Sequence, residues 1–373
     1  MSRQEILQQA NPVVIKVGTN VLADQHGYLD RQRIRSLSAQ ISRVMKSRRV
    51  VLVSSGAIGA GIGVLKLGKR PADLPHLQAC AAVGQSALMQ LYREEFHTHQ
   101  IEPAQILLTA NDLDNRTRYL NARLTLLTLF EYGCLPIINE NDTVSVAEIK
   151  FGDNDQLAAL VGNLLHAPLL ILLTNVDGLF TGDPRTDSTA QLVPTVENIS
   201  QVMNLAATTK SHLGTGGMKS KLRAAQIATA AGASVIMANG SHEGIIDQIF
   251  SGETVGTLFL PQKEGLSARE RWLAFTTRPK GILKIDAGAQ KALLQEGRSL
   301  LPVGVRAVIG DFNKGDVVSV CNLEGVEIAR GLANYSHLDA EKMRGLTSEQ
   351  ITRALGQLPY VEMIHRDNLV SVQ

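Results

Sequence analysis

Short, unbroken runs of aliphatic and β-branched residues recur along the first two thirds of the chain: Val13–Val17, Arg49–Val53, Gln105–Leu108, Leu135–Ile138, Leu169–Leu173 and Ser234–Ala238. Runs of this kind fit strands covered on both faces. Between them the apolar residues change to helical spacing. From Asp30 to Ser47 they fall at Ile34, Leu37, Ile41, Val44 and Met45, with arginines on the other face. Helices are also expected over His76–His97, over Tyr119–Tyr132 with Gly133 as a C-terminal stop, and over Met218–Ala231. Strands alternating with helices predict an α/β fold, a mostly parallel sheet sandwiched by helices. The apolar breadth of the 76–97 helix suits either core packing or a subunit interface.

The pattern changes near Gln262. Residues 1–262 read as one domain, 263–279 as a charged linker and 280–373 as a small β-rich module. That module has strands at Val303–Val308, Asp316–Val320 and Val326–Ala329, turns at Gly310, Gly315 and Gly325, and short helices at Gly288–Gln295 and Asp339–Arg344.

Polar clusters interrupt the apolar pattern where strands or turns end: Lys16-Val17-Gly18-Thr19, Ser54-Ser55-Gly56, Asn139-Glu140-Asn141-Asp142, Thr174-Asn175, and the turn from Gly214 into Met218-Lys219-Ser220-Lys221. In a parallel sheet such ends share one edge, where ligands bind. Any one of them alone is more often a solvated loop. The glycines after Ser55 do not form a dinucleotide fingerprint: counted from Gly59 the third position is Val64, and from Gly61 it is Lys66. The Gly214 turn is not a Walker A loop either, since Met218 rather than Gly precedes Lys219. Its backbone N–H groups and the helix N-terminus still suit phosphate.

Lys16 sits in an otherwise apolar strand, and Lys221 lies one turn into a helix that follows a Gly-rich turn. Two ammoniums facing one phosphate chain suit phosphoryl transfer, in which catalysis is mostly positioning and charge stabilisation. They would repel each other without a carboxylate between them; Asp155, or else Asp153, is placed to serve. Capping of the helix that starts there is the plainer role for both aspartates. No general base stands out. A carboxylate acceptor needs none, because it is already ionised near neutrality. Asp142, with Asn139 and Asn154, would suit the ammonium of an amino acid.

Composition narrows the classes further. The 373 residues are 44% hydrophobic and 19% charged, enough for sizeable cores, with a net charge of +2 that gives no general reason to expect nucleic acid. No apolar run reaches the ~18 residues that span a bilayer, and the polar start Met1–Glu5 lacks a signal-peptide core. Cys80, Cys134 and Cys321 form neither a disulfide framework nor a zinc site, and the histidines show no ligand spacing. A cytoplasmic location is expected.

The motifs Val14–Thr19, Ser54–Ile58, Ile138–Asp142, Gly152–Asp155 and Gly214–Met218, with Leu300–Pro302, Gly315–Val318 and Cys321–Gly325 in the second module, resemble the amino acid kinase family in its form with a C-terminal PUA domain. The resemblance implies ATP-dependent phosphorylation of the side-chain carboxylate of L-glutamate to L-glutamyl 5-phosphate, the first step of proline biosynthesis. It implies that Lys16 and Lys221 hold the transferring phosphoryl and that Asp155 orients them. It places glutamate on Ser55, Asn139, Asp142 and Asn154. ATP falls on Lys16, Thr174, Asn175, Thr215, Gly216, Gly217, Met218, Lys219, Ser220 and Lys221, with Mg2+ on the phosphates and no protein ligand assigned to it. It also implies feedback by proline and a homo-oligomer formed through the kinase domain. The chain departs from the family pattern at Asn175, where relatives often carry Asp, and at Lys219-Ser220. The rivals are a family member acting on carbamate, aspartate or N-acetylglutamate, and an RNA-binding protein, because PUA modules elsewhere bind RNA. Arg298, Arg306, Lys314, Lys342 and Arg344 are offset by Asp311, Asp316, Glu324 and Glu327, so no basic stripe supports RNA and a regulatory or structural role for the module is favoured.

Overall fold

The computed structural model describes residues 2–24, 27–144, 154–203, 217–262, 270, 272–355 and 360–372. The chain divides into two compact units, Met1–Gly265 and Leu266–Gln373, so the division falls inside the stretch read as a linker.

In the first unit, helix α1 (Arg3–Gln9) precedes strand β1 (Val13–Val17), and a short α2 (Thr19–Leu22) leads to α3 (Arg31–Met45) and β2 (Val50–Ser54). Next come α4 (Ala57–Val64), α5 (Leu74–His97), β3 (Pro103–Leu108), α6 (Ala110–Asp114), α7 (Arg116–Glu131) and β4 (Leu135–Glu140). After α8 (Asn154–Leu165) and β5 (Leu169–Thr174) lie a two-residue β6 (Thr195–Val196), α9 (Met218–Ala230), β7 (Ser234–Asn239), α10 (Ile245–Ser251) and β8 (Thr257–Phe259). The strands form one sheet in the order β3-β4-β2-β1-β5-β7-β8-β6. Every neighbouring pair is parallel except β7 with β8.

The reason for this arrangement is visible in burial. Every residue of β1, β2, β4 and β5 is buried, as expected for strands with helices on both faces. Ile15, Leu52 and Ile171 are fully enclosed, each side chain contributing about 1.5–3 kcal/mol by leaving water. Helix ends follow local chemistry. Asp30 caps α3 by accepting from the N–H groups of Gln32 and Arg33. Asp73 caps α5 with Pro75 in the first turn. Asn115 caps α7, which therefore begins at Arg116, ahead of the expected Tyr119. Gly133, at φ +70°, ends that helix.

Helices α4 and α5 meet backbone to backbone. A Cβ built on Gly61 would lie 1.9 Å from the Cys80 carbonyl oxygen, and one on Gly84 would lie 1.8 Å from that of Ala57. Only glycine permits this approach. Helix α5 packs inside the unit on α4 and α3, burying Cys80, Gly84, Leu88, Tyr92 and Phe96.

The second unit holds a five-stranded sheet, β10-β9-β11-β12-β13, from β9 (Gly281–Ile285), β10 (Val305–Gly310), β11 (Val317–Cys321), β12 (Glu327–Leu332) and β13 (Leu369–Ser371). Helices α11 (Ala287–Leu294), α12 (His337–Met343) and α13 (Ser348–Leu355) accompany it. Ile285, Phe312, Val318, Ile328 and Ile364 centre its core. Leu273 and Ala274, within the stretch read as linker, are buried with Val317 and Val370. The pattern did not mark α1, α2, α4, α6, α10, β6, β8, β9, β13 or α13, all short elements; Gly59 and Gly61, read as part of a turn, lie in α4. The strand-like stretch expected at 147–151 lies outside the described residues.

Candidate active site

Strands β1, β2, β4 and β5 carry the predicted polar residues at their carboxyl ends. Helices α8 and α9 bring their first turns to the same edge. Lys16 is the fourth residue of β1 and is only 4% exposed; it lies beside Leu172 of β5 and Val53 of β2. Asp155, the second residue of α8, is fully buried, and Lys221, in the first turn of α9, is 7% exposed. Lys16 Nζ lies 2.5 Å from Asp155 Oδ1, and Lys221 Nζ lies 3.1 Å from Asp155 Oδ2. One carboxylate thus separates two ammoniums whose positions are about 200 residues apart in sequence. Burying either lysine alone would carry a heavy desolvation cost; the shared carboxylate offsets it. Two lysines on one carboxylate present ammonium groups of the sign that attracts an anionic ligand.

The Gly18 N–H donates to the Leu173 carbonyl at 3.2 Å, and a Cβ at Gly18 would sit 3.6 Å from Lys16 Nζ. At the start of α9, Gly217 is the extended N-cap, and the buried Ser220 Oγ has no hydrogen-bond partner among the described residues. A hydroxyl and free N–H groups in a helix's first turn can receive phosphate oxygens. Met218 is half-buried and Lys219 exposed. Thr215, Gly216 and the alternative carboxylate Asp153 lie outside the described residues.

Next to the charged cluster is a neutral one. Asn154, the residue before Asp155, donates through Nδ2 toward the Ser54 carbonyl at 2.8 Å, Ser55 Oγ at 2.9 Å and Asn139 Oδ1 at 2.8 Å. Asn139 Oδ1 also accepts from the Glu140 N–H at 2.9 Å, while Asn139 Nδ2 donates to Gln85 Oε1 at 2.8 Å. Ser55, Asn139 and Asn154, widely spaced in sequence, are therefore in one network. Asp142 stands two residues past β4 in a turn and is half-buried.

Thr174 ends β5, buried, with its hydroxyl 3.4 Å from Oδ1 of the exposed Asn175. Beside it, at the end of β7, Asn239 Nδ2 donates to Asp177 Oδ1 at 2.8 Å, and His242 Nε2 is 3.4 Å from the same oxygen. Among the described residues no group of three His, Cys, Asp or Glu side chains could hold a metal, and Asp155 is occupied by two lysines. These residues do not fit a resident metal centre.

The amino acid kinase family model matches residues 11–239, and the PUA domain model matches 281–355. Proteins named glutamate 5-kinase from Trichlorobacter lovleyi and Geobacter sulfurreducens are 46% and 47% identical over 370 residues, covering 99% of this chain and 98% and 99% of theirs. The chain belongs to the amino acid kinase family, in its glutamate 5-kinase branch. A carbamate kinase from Giardia lamblia bound to AMP-PNP, 17% identical, superposes with a TM-score of 0.50 over 68% of this chain and 99% of its own, which shows a shared fold. In this kinase the sequence pattern gave no role to Gln85, Tyr92, Asp177 or Asn239. For Gln85 and Tyr92 a signal existed: polar groups seven positions apart lie on one helical face, here the face that is otherwise apolar. No helix among the described residues is long and apolar enough to cross a membrane.

Proposed function

We propose that this chain transfers the γ-phosphoryl group of MgATP to the side-chain carboxylate of L-glutamate, giving L-glutamyl 5-phosphate, the entry reaction of proline biosynthesis. The observation that carries this reading is the Lys16–Asp155–Lys221 cluster beside an amide network, in a chain 46% identical over nearly its whole length to proteins named glutamate 5-kinase.

Lys16 and Lys221 flank the transferring phosphoryl and stabilise the charge that develops on its equatorial oxygens. Asp155 holds the two ammoniums at fixed spacing before ATP arrives, so little reorganisation is needed on binding. Thr174, Asn175 and the segment from Thr215 to Lys221 receive the nucleotide, with Ser220 Oγ and the first N–H groups of α9 on phosphate. Magnesium enters on the phosphates as part of the substrate. The acceptor oxygen is already anionic and attacks without a base.

Glutamate occupies the Ser55, Asn139, Asp142 and Asn154 end. The two Nδ2 hydrogens of Asn154 are shared among three acceptors, which leaves its Oδ1 for the substrate ammonium alongside the Asp142 carboxylate. Proline feedback, a homo-oligomer through the kinase domain, a cytoplasmic location and a regulatory or structural role for the PUA unit complete the proposal. RNA at the PUA unit is the weaker alternative.

Hydroxamate formation compared with glutamate and N-acetylglutamate tests the reading. Turnover with glutamate and little with the acetylated amine is the expected result, because acetylation removes the charge Asp142 would meet. Equal turnover on both would contradict the ammonium site.

A further inference from the structure

Helix α5 touches three separate walls of the proposed glutamate subsite, although none of its residues belongs to a strand-end motif. Gly84 lets the Ala57 carbonyl approach, which seats the start of α4 directly after Ser55. Gln85 Oε1 accepts from Asn139 Nδ2 at 2.8 Å. Two turns on, the Tyr92 hydroxyl lies 2.8 Å from Ser54 Oγ, which itself donates to the Ser55 carbonyl at 3.0 Å. Burial pushes the Tyr92 phenol above its ordinary value, against the lowering effect of the Ser54 bond, so it stays protonated.

The Gln85 contact has a directional consequence. A carboxamide presents a donor at one end and an acceptor at the other, and a flip exchanges them. With Nδ2 turned to Gln85, Asn139 offers Oδ1 to the Asn154 amide and the Glu140 N–H. Flipped, it would set an NH2 group against both donors. We propose that Gln85 is a positioning residue for glutamate: it locks the Asn139 carboxamide in the orientation that holds Asn154, and thereby the substrate-facing Oδ1 of Asn154. The proposal rests on Ser55, Asn139 and Asn154 being the glutamate subsite.

The test is steady-state kinetics of Gln85→Met, Gln85→Glu, Asn139→Ala, Asn154→Ala and the double variant Gln85→Met/Asn139→Ala, with thermal melts to establish folding. Met fills the Gln volume with only a weak thioether acceptor, whereas Glu retains a strong one whether ionised or protonated. We expect Gln85→Met to raise the glutamate KM by about tenfold or more, with the ATP KM little changed. Gln85→Glu should restore most of the lost affinity. In the Asn139→Ala background Gln85→Met should add nothing, because the group it acts through is gone. A folded Gln85→Met enzyme with a parental glutamate KM, beside a raised KM in Asn154→Ala, overturns the Gln85 assignment alone. A parental KM in Asn154→Ala removes the glutamate subsite itself. Additive effects in the double variant would mean that Gln85 acts by another route.

Discussion

The two halves of the strand-end site are built on opposite principles. At the end of β1, three charges, Lys16, Asp155 and Lys221, sit nearly dry within ion-pairing distance. At the ends of β2 and β4, Ser55, Asn139, Asn154 and Gln85 are neutral and hold one another through the direction of their hydrogen bonds. The first half depends on charge balance: remove Asp155 and two buried ammoniums are left without it. The second depends on orientation: remove one member and the others can turn. The adjacent residues Asn154 and Asp155 join the halves through the first turn of α8. In the proposed assignment, phosphoryl transfer and amino-acid recognition therefore fail in distinguishable ways.

The largest expected effect breaks the charged half. Asp155→Ala leaves two ammoniums buried side by side and should cost about 3–5 kcal/mol of unfolding free energy, read by urea denaturation, together with nearly all turnover. Asp155→Asn keeps shape but not charge, and should recover packing without recovering activity. In the neutral half, Asp142→Ala should raise the glutamate KM by about tenfold to a hundredfold, with the ATP KM unchanged. An unchanged glutamate KM would refute its contact with the substrate ammonium.

A smaller effect is expected where the neutral half is braced. Gly84→Ala drives a methyl group into the Ala57 carbonyl and should cost roughly 1–3 kcal/mol in thermal or urea unfolding, with turnover at saturating glutamate falling less than apparent affinity.

The smallest lies behind the site, where α5 meets α3. Burial tends to raise the Glu95 carboxyl, but hydrogen bonds from Arg35 and Arg31 outweigh it and hold the group below its ordinary value of 4.5. A carboxyl lowered on folding adds stability that is fully present above the unfolded pKa. That contribution fades as pH falls through the lower, folded value. The two arginines are mostly solvated, so the amount is modest. Glu95→Gln should lower the melting temperature slightly at pH 7 and make no difference in strong acid. A loss that persists at low pH would mean that packing, not the ion pairs, is what Glu95 contributes.

What the pattern of residues revealed follows the same division. A lysine inside Val13–Val17 and an aspartate beginning a helix of apolar residues stand out against their surroundings, so the charged half could be read from sequence. The sheet was legible for a related reason, since its central strands are continuous apolar runs. Gln85 and Tyr92 went unread although they share the buried face of α5, because sequence does not show the partner across the gap. Asn139, by contrast, stood out because it ends an apolar strand. The antiparallel β7–β8 pairing was also hidden: β8 has three residues and carries no turn signal that fixes its direction.

The most direct test of the central claim is kcat for ATP-dependent glutamate hydroxamate formation by the Lys16→Met variant. Met keeps the buried stem, and Lys221 still neutralises Asp155, so folding should survive. The kcat should fall about a hundredfold to a thousandfold, with the glutamate KM and melting temperature near those of the parent. A Lys16→Met enzyme that turns over at close to the parental kcat would contradict the claim.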